Sequence, residues 1–395
     1  MRTFPWRSLA AIYAPAALFS VSQGALLPVL PLTARALGAS VGTSALVVAL
    51  LGIGQVAAAL PAGALVGRIG ERRAMVVAGA ASALALAGAG LAPSVAVLAV
   101  CVVVIGVGSA VWALARQSYL TAAAPPHLRA RALSTLGGVG RIGAFAGPFA
   151  GAAGSSVAGA RGAYAVAVVA VVVAAAVLLT LPEPEVPAGA VESGPAPTLR
   201  QVLREHRRVL LTLGVAALTV QAVRQSRQTV LPLWCEHLGL DATATSLVAG
   251  VSGAVDMLLF YPAGSVMDRL GRVAVAVPSL LVLAAAHAVL PLAQSFGAVV
   301  AVGVLMGFGN GMGAGLVMTL GADASPPGGR AVFLGAWRLV TDTGVATGPL
   351  LVGAVATAAS LGVASLGVAS LGVAALAVVG AAGLLRFVPR RAAAP

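Results

Sequence analysis

The sequence predicts an all-α integral membrane protein of twelve transmembrane helices, arranged as two pseudo-symmetric six-helix bundles. Composition, the spacing of apolar runs and an internal repeat carry that prediction. Of 395 residues, 59% are hydrophobic and only 9% charged, with a mean hydropathy of +1.01. Soluble domains run near ~25% charged, so a water-soluble enzyme of this length is excluded. A spanning helix needs about 20 apolar residues, which twelve runs here supply.

In chain order the first six runs fall at 9–32, 43–66, 74–92, 95–116, 132–155 and 162–181. Six more follow at 209–233, 243–266, 273–293, 296–320, 331–357 and 365–386. The start, Arg2 to Arg7 and then an apolar stretch, resembles a signal peptide. Further spans follow at once, so it reads as an uncleaved first helix. Residues 1–181 form the N-terminal bundle and 209–395 the C-terminal bundle. Between them, 182–208 is a cytoplasmic linker that opens Pro-rich and ends basic around Arg200, Arg204, Arg207 and Arg208. ASLGV occurs three times over 359–373, a low-complexity stretch entering the last span.

All 24 basic residues are arginine, and the formal net charge is +13. Without Lys there is no Walker A loop, so an ATP-driven pump is ruled out. The arginines sit between apolar runs, where topology rather than nucleic acid explains them. With the N-terminus inside, 17 arginines fall in cytoplasmic segments, and only Arg35 and Arg161 fall outside. The positive-inside rule therefore places both termini in the cytoplasm. Two cysteines make no disulfide framework, and four histidines show no ligand spacing. No metal, cofactor or paired catalytic groups are expected.

The halves read as copies. A shift of 201 residues aligns Leu30-Pro31-Leu32 with Leu231-Pro232-Leu233, and Pro61-Ala62-Gly63 with Pro262-Ala263-Gly264. It also aligns Gly106 and Gly108 with Gly307 and Gly309, and Gly143, Gly147 and Pro148 with Gly344, Gly348 and Pro349. Six spans per copy keep both in one orientation, so the repeat axis runs along the membrane normal.

Six plus six parallel-repeat spans resemble the major facilitator superfamily, and in detail its drug and metabolite exporter branch. GALVGRIGERR (63–73) looks like that family's G-x-L-x-D-R-x-G-R-R loop, and GSVMDRLGR (264–272) like its second copy. Gly143-x-x-x-Gly147-Pro148-x-x-Gly151 resembles the motif associated with exporters. The resemblance implies a gating role for Arg68, Arg72 and Asp268, whereas Gly67 stands where the family usually has Asp. The family's span-4 R-x-x-Q-G pattern would place Arg at Val102 and Gln at Ile105, and it is absent. Independently, Gly143, Gly147, Pro148 and Gly151, with Gly348 and Pro349, permit close helix approach and bending. Packing alone and a leak-sealing role both remain open for them. Gly138-x-Gly140-x-x-Gly143 matches a dinucleotide fingerprint by letter only, with no strand-helix-strand context.

Ionisable groups inside spans are functional candidates by default. They are Arg116, Arg141, Arg224, Arg227, Arg338, Asp256 and Asp342. The resemblance implies contacts between spans 5 and 8 and between spans 2 and 11. Candidate pairs are therefore Arg141 with Asp256 and Gln55 with Asp342, the latter with Arg338 one turn away. Such pairs either tie the halves in one access state or neutralise charge for insertion. Arg227 is expected near the outer boundary, snorkelling or meeting Glu236. Gln221, Arg224, Gln225 and Gln228 share one helical face. By resemblance, spans 1, 4, 7 and 10 line a central cavity, which adds Gln23, Trp112 and Asn310 as substrate-binding candidates. Arg224 either forks onto an anionic group or makes a structural contact with Asp256.

The expected function is export of a small organic drug or metabolite by alternating access, coupled by resemblance to protons. Span 1 holds no acid, which favours neutral or anionic substrates. Uptake of an organic anion by symport is the alternative within transport; a non-transporting scaffold or sensor is the alternative outside it. The expected setting is the plasma membrane, as a monomer whose partners are its solute, protons and lipid.

Overall fold

The computed structural model describes residues 6–123, 129–180, 201, 204–326, 330–358 and 364–388. Among these the secondary structure is helical throughout. The first half comprises α1 (Trp6–Ala36), α2 (Val41–Ile69), α3 (Glu71–Gly90), α4 (Val95–Ala123), α5 (Arg129–Ala158) and α6 (Ala160–Leu179). A turn at Arg207–Val209 and a π-helical stretch at Leu210–Gly214 lead into α7 (Val215–His237). Then come α8 (Ala242–Leu270), α9 (Val273–Val289), α10 (Phe296–Met312), α11 (Leu316–Ala324), α12 (Arg330–Ala358) and α13 (Ala364–Phe387).

Eleven stretches among the described residues are long and apolar enough to cross a membrane. The twelfth, α5, is 30 residues long but glycine- and serine-rich, with Arg141 in its middle. Large apolar side chains stand exposed along these helices, Leu84, Val157 and Val379 among them. In a bilayer that surface meets lipid, so it carries no penalty there.

One expected helix is two. The run 296–320 reads as a single span, yet it breaks between Met312 and Leu316, with Gly315 at a φ of +77°. The cause is local: glycine at 307, 309, 311, 313 and 315 removes the side chains that stiffen a helix, and Gly315 takes a left-handed conformation that other residues avoid. Irregular backbone at membrane depth is tolerated where protein buries it or a cavity hydrates it. Of the linker expected at 182–208, residues 182–200 and 202–203 lie outside the described residues.

The chain divides into two compact units. The first contains Met1–Ala39, Leu50–Ala190 and Asp241–Gly250; the second contains Ser40–Ala49, Val191–Leu240 and Val251–Pro395. Inside the first, α1 packs on α5 and α6, α3 packs on α4 and α6, and α5 packs on α6. Inside the second, α7 packs on α12 and α13, α9 packs on α10 and α13, and α12 packs on α13. These pairings are the same set moved by 201 residues.

The repeat extends to single glycines. A Cβ at Gly106 would fall on the Leu51 carbonyl, and one at Gly307 on the Ser252 carbonyl. Gly108 meets Ala78 and Ser82, as Gly309 meets Ser279 and Leu283. Gly143 meets Ala17 and Ser20, as Gly344 meets Leu218 and Gln221. Gly147 lies on the Val21 carbonyl and Gly348 on that of Ala222. Gly151 packs on Ala25, and both Pro148 and Pro349 are buried. Apart from Gly151, whose counterpart is Val352, these contacts recur at the same offset because so close an approach leaves no room for a side chain.

Candidate functional site

The second unit holds a connected polar cluster inside its spans. Asn310, at the end of α10 beside the break, is 5% exposed. Its Nδ2 donates to Asp256 Oδ2 on α8 at 2.7 Å, and its Oδ1 accepts from Arg224 Nε on α7 at 2.7 Å. Arg224 Nη1 also reaches the Gly313 carbonyl, 3.4 Å away in the interruption between α10 and α11. The same carbonyl accepts from the Leu316 backbone N–H at 3.2 Å, so it serves both the turn and the guanidinium. Asp256 Oδ1 is buried without a hydrogen-bond partner among the described residues.

Close helix contact sets this geometry. Gly307 lies against Ser252 and Gly311 against Asp256, so α8 and α10 touch backbone to backbone. A short side chain such as Asn310 can then span from one helix to the next. Arg224 and Asp256 make the structural connection that sequence left open, with the Asn310 amide bonded to both. Asn310, expected as cavity surface, is that bridge.

One turn along α7 the expectation for Arg227 fails. Its Nη1 donates to Ser252 Oγ on α8 at 2.8 Å, inside the bundle, rather than reaching Glu236. The small residue at 252 leaves room for the guanidinium. Beside it, Ser226 Oγ lies 3.2 Å from His287 Nε2 on α9, and His287 Nδ1 faces the Leu283 carbonyl at 2.9 Å. His287 carried no ligand spacing in the sequence, and only its depth in an apolar run could have marked it. Gln221, Gln225 and Gln228 are half-buried on α7, without a hydrogen-bond partner among the described residues.

The remaining candidates divide. Gln23 Nε2 donates to Ser109 Oγ at 3.2 Å, which in turn donates to the Ile105 carbonyl at 2.8 Å. Trp112 is 1% exposed and stacked on Phe19 with ring centroids 4.5 Å apart. It is core in this structure, not cavity lining, because α1 and α3 close over it. Gln55 and Arg141 are half-buried in the first unit, while Asp256 and Asp342 belong to the second. Arg338 Nε lies 3.8 Å from Asp342 Oδ2 on the same helix, both side chains well exposed at 60% and 43%.

At the loops, Arg68 is exposed and Arg72 half-buried; the Asp268 side chain is outside the described ones. Glu71 Oε1 accepts from Ser118 Oγ at 2.8 Å, tying the 67–73 loop to α4. The corresponding second-half loop is tied by Arg272, whose Nε lies 2.8 Å from Asp323 Oδ2 on α11. Sequence reasoning missed that pair, since Asp323 stands at the end of a run with no motif around it. Gly70 and Gly271, at φ of +83° and +88°, make the equivalent turns.

The family model described as Major Facilitator Superfamily matches residues 13–260 and, separately, 213–395. The chain belongs to that superfamily. Solved structures agree at the level of fold. The nucleoside transporter NupG superposes with a TM-score of 0.76 at 14% identity, covering 96% of this chain and 99% of that one. A D-xylose-proton symporter gives 0.77 at 14% identity, over 98% and 99%. A POT family transporter in complex with a thioalcohol-conjugated peptide gives 0.78 at 11% identity, over 96% of each. No curated protein matches the sequence. The twelve-span reading, the parallel repeat and the superfamily resemblance thus hold together, and the protein is a multi-pass membrane member of a transporter superfamily.

Proposed function

We propose that this superfamily member is a secondary transporter that moves a small organic molecule outward by alternating access. Asp256 carries the coupling proton, and the α7 face of Gln221, Arg224, Gln225 and Gln228 contacts the solute. The observation that carries this reading is the Asp256–Asn310–Arg224 chain at the break in the tenth span. It joins a carboxylate to a guanidinium across three helices. Discontinuous spans with freed backbone groups are where transporters of several folds bind their cargo. Protonating Asp256 removes the charge that Asn310 Nδ2 grips, which loosens Arg224 in turn.

Outward movement is supported by the resemblance of Gly143–Gly151 to the exporter motif. A second reading, uptake of an organic anion with protons, is favoured by the two arginines, Arg224 and Arg227, that lie within the spans of the second unit. Under either reading we place the protein in the plasma membrane as a monomer, with both termini cytoplasmic.

Reconstituted vesicles given a proton gradient of either sign, with a panel of organic solutes, test the proposal. Outward transport predicts solute movement opposite to the protons; symport predicts movement with them. Asp256→Asn should abolish gradient-driven movement and its pH dependence in a folded, inserted protein. Unchanged pH dependence in that variant removes Asp256 from the coupling. Gradient-independent retention of a specific partner, without flux, would replace transport by a scaffold role.

A further inference from the structure

Where the chain enters α7, the second unit gathers positive charge on its surface. His206 meets the buried Phe333 ring edge-on, with ring centroids 5.2 Å apart, which pins this lead-in to α12. Arg204, Glu205, Arg207 and Arg208 around it are all exposed. A second helix brings another arginine to the same end. α13 runs antiparallel to α7 in close register: a Cβ on Gly380 would lie against Thr219, and one on Gly383 against Ala216. Continued toward the end of α13, that register sets the exposed Arg386 level with Leu213. Arg208 then follows at roughly 7.5 Å along the axis, at ~1.5 Å per residue.

Among the described residues, none of these four guanidinium groups makes a hydrogen bond or an ion pair, and Glu205 is the one acid in the lead-in. Like charges this close repel one another and cost the fold stability. Membrane orientation asks for a number of arginines on one side; it does not ask that they crowd onto two touching helices. The surface beside them is apolar, since Leu211, Val215, Leu385 and Phe387 are all exposed. Basic groups set next to exposed hydrocarbon match a molecule with an acidic head and apolar chains.

We propose that the surface where α7 and α13 meet binds an anionic phospholipid of the adjacent leaflet. Arg207, Arg208 and Arg386 hold its phosphate, and its acyl chains lie on Leu211, Val215 and Leu385. That leaflet is the cytoplasmic one under the topology proposed above. A guanidinium fork fits paired phosphate oxygens, and basic clusters at the end of a spanning helix draw acidic lipid to them. The lipid turns the mutual repulsion of the arginines into attraction to a shared anion. Its binding needs neither a solute nor a gradient, so this site stands whether or not the protein transports.

Full-length protein purified in a neutral detergent is titrated with phosphatidylglycerol and, separately, with phosphatidylcholine of the same chains. Bound lipid is counted by native mass spectrometry, and the melting temperature is followed in parallel. The expected result is that phosphatidylglycerol binds at least about tenfold more tightly and raises the melting temperature. Arg208→Gln and Arg386→Gln, one on each side of the seam, should each weaken its binding about fivefold. The double variant should lose more than either, with the lipid-free melting temperature unchanged in all three. Arg208→Lys keeps the charge and should retain most of the binding. Arg269→Gln removes an equal, exposed charge at the end of α8 and should bind as the wild type does. Equal binding of the two lipids, or undiminished phosphatidylglycerol binding in the double variant, overturns the proposal. So does an equal loss in Arg269→Gln, which would reduce the effect to net charge. Inorganic phosphate or glycerol 3-phosphate binding as tightly as the lipid would also overturn it, by making the site one for a soluble anion.

Discussion

In the first half, Gln23 touches Ser109, while Leu26, Leu51 and Leu86 are sealed in the core at 0%, 7% and 0% exposure. The residues 201 positions on are Arg224, Asn310, Arg227, Ser252 and His287, and every one joins a hydrogen bond across helices. Around both sets the glycine contacts are the same. The comparison separates two things that a single bundle would confound. Helix packing is kept in both copies, so it belongs to the fold. At these positions charge is kept in one copy, so it belongs to what that copy does.

Writing the first-half solution into the second is the sharpest way to test this. Asp256→Gln, which installs the residue found at position 55, should leave a folded protein with gradient-driven flux at background, measured in vesicles. Retained flux would mean that the charged copy has no special role. Next in size are the shared contacts. Gly106→Val and Gly307→Val should each cost about 1–3 kcal/mol through overpacking, read as matched losses of thermal stability in detergent. A loss in only one variant would break the equivalence of the copies.

Ser252→Leu should cost about 1–3 kcal/mol, because it strands the Arg227 guanidinium without its acceptor. Adding Arg227→Leu should recover most of that loss, since an apolar pair of similar volume replaces a buried polar one at little cost. Failure of the double variant to recover would show that Arg227 is held by more than Ser252. The smallest effect is expected at the loop: Arg272→Gln removes a partly exposed ion pair with Asp323 and should cost under about 1 kcal/mol, read by the same melting experiment.

Much of this was legible before any coordinates. Apolar runs of membrane length and a constant offset are properties of composition and spacing, and they translate directly into spans and a duplicated topology. The break in the tenth span was not legible, because hydropathy does not distinguish an intact apolar helix from one loosened by alternate glycines at 307–315. Asn310 was legible as a polar residue within a span, but not as a bridge. That role depends on how closely Gly307 and Gly311 let α8 approach, a distance set by tertiary packing. Arg227 and Ser252 were missed for the same reason: the partner lies on another helix, and the nearest acid in sequence, Glu236, was the misleading cue. Trp112 was misjudged because an aromatic on a cavity-lining span can face either way, and Phe19 decides which.

The π-helical stretch at Leu210–Gly214 carries one residue more than an α-helix would use for the same rise. At roughly 100° per residue, that surplus rotates Arg207 and Arg208 out of line with the glutamine stripe beyond them. In a uniform helix, 207, 211, 214, 218, 221, 225 and 228 would form one continuous strip. The bulge cuts the strip in two, so the basic lead-in and the amide-lined face point in different directions around the helix. Excising one residue between 210 and 214 would splice them back into register.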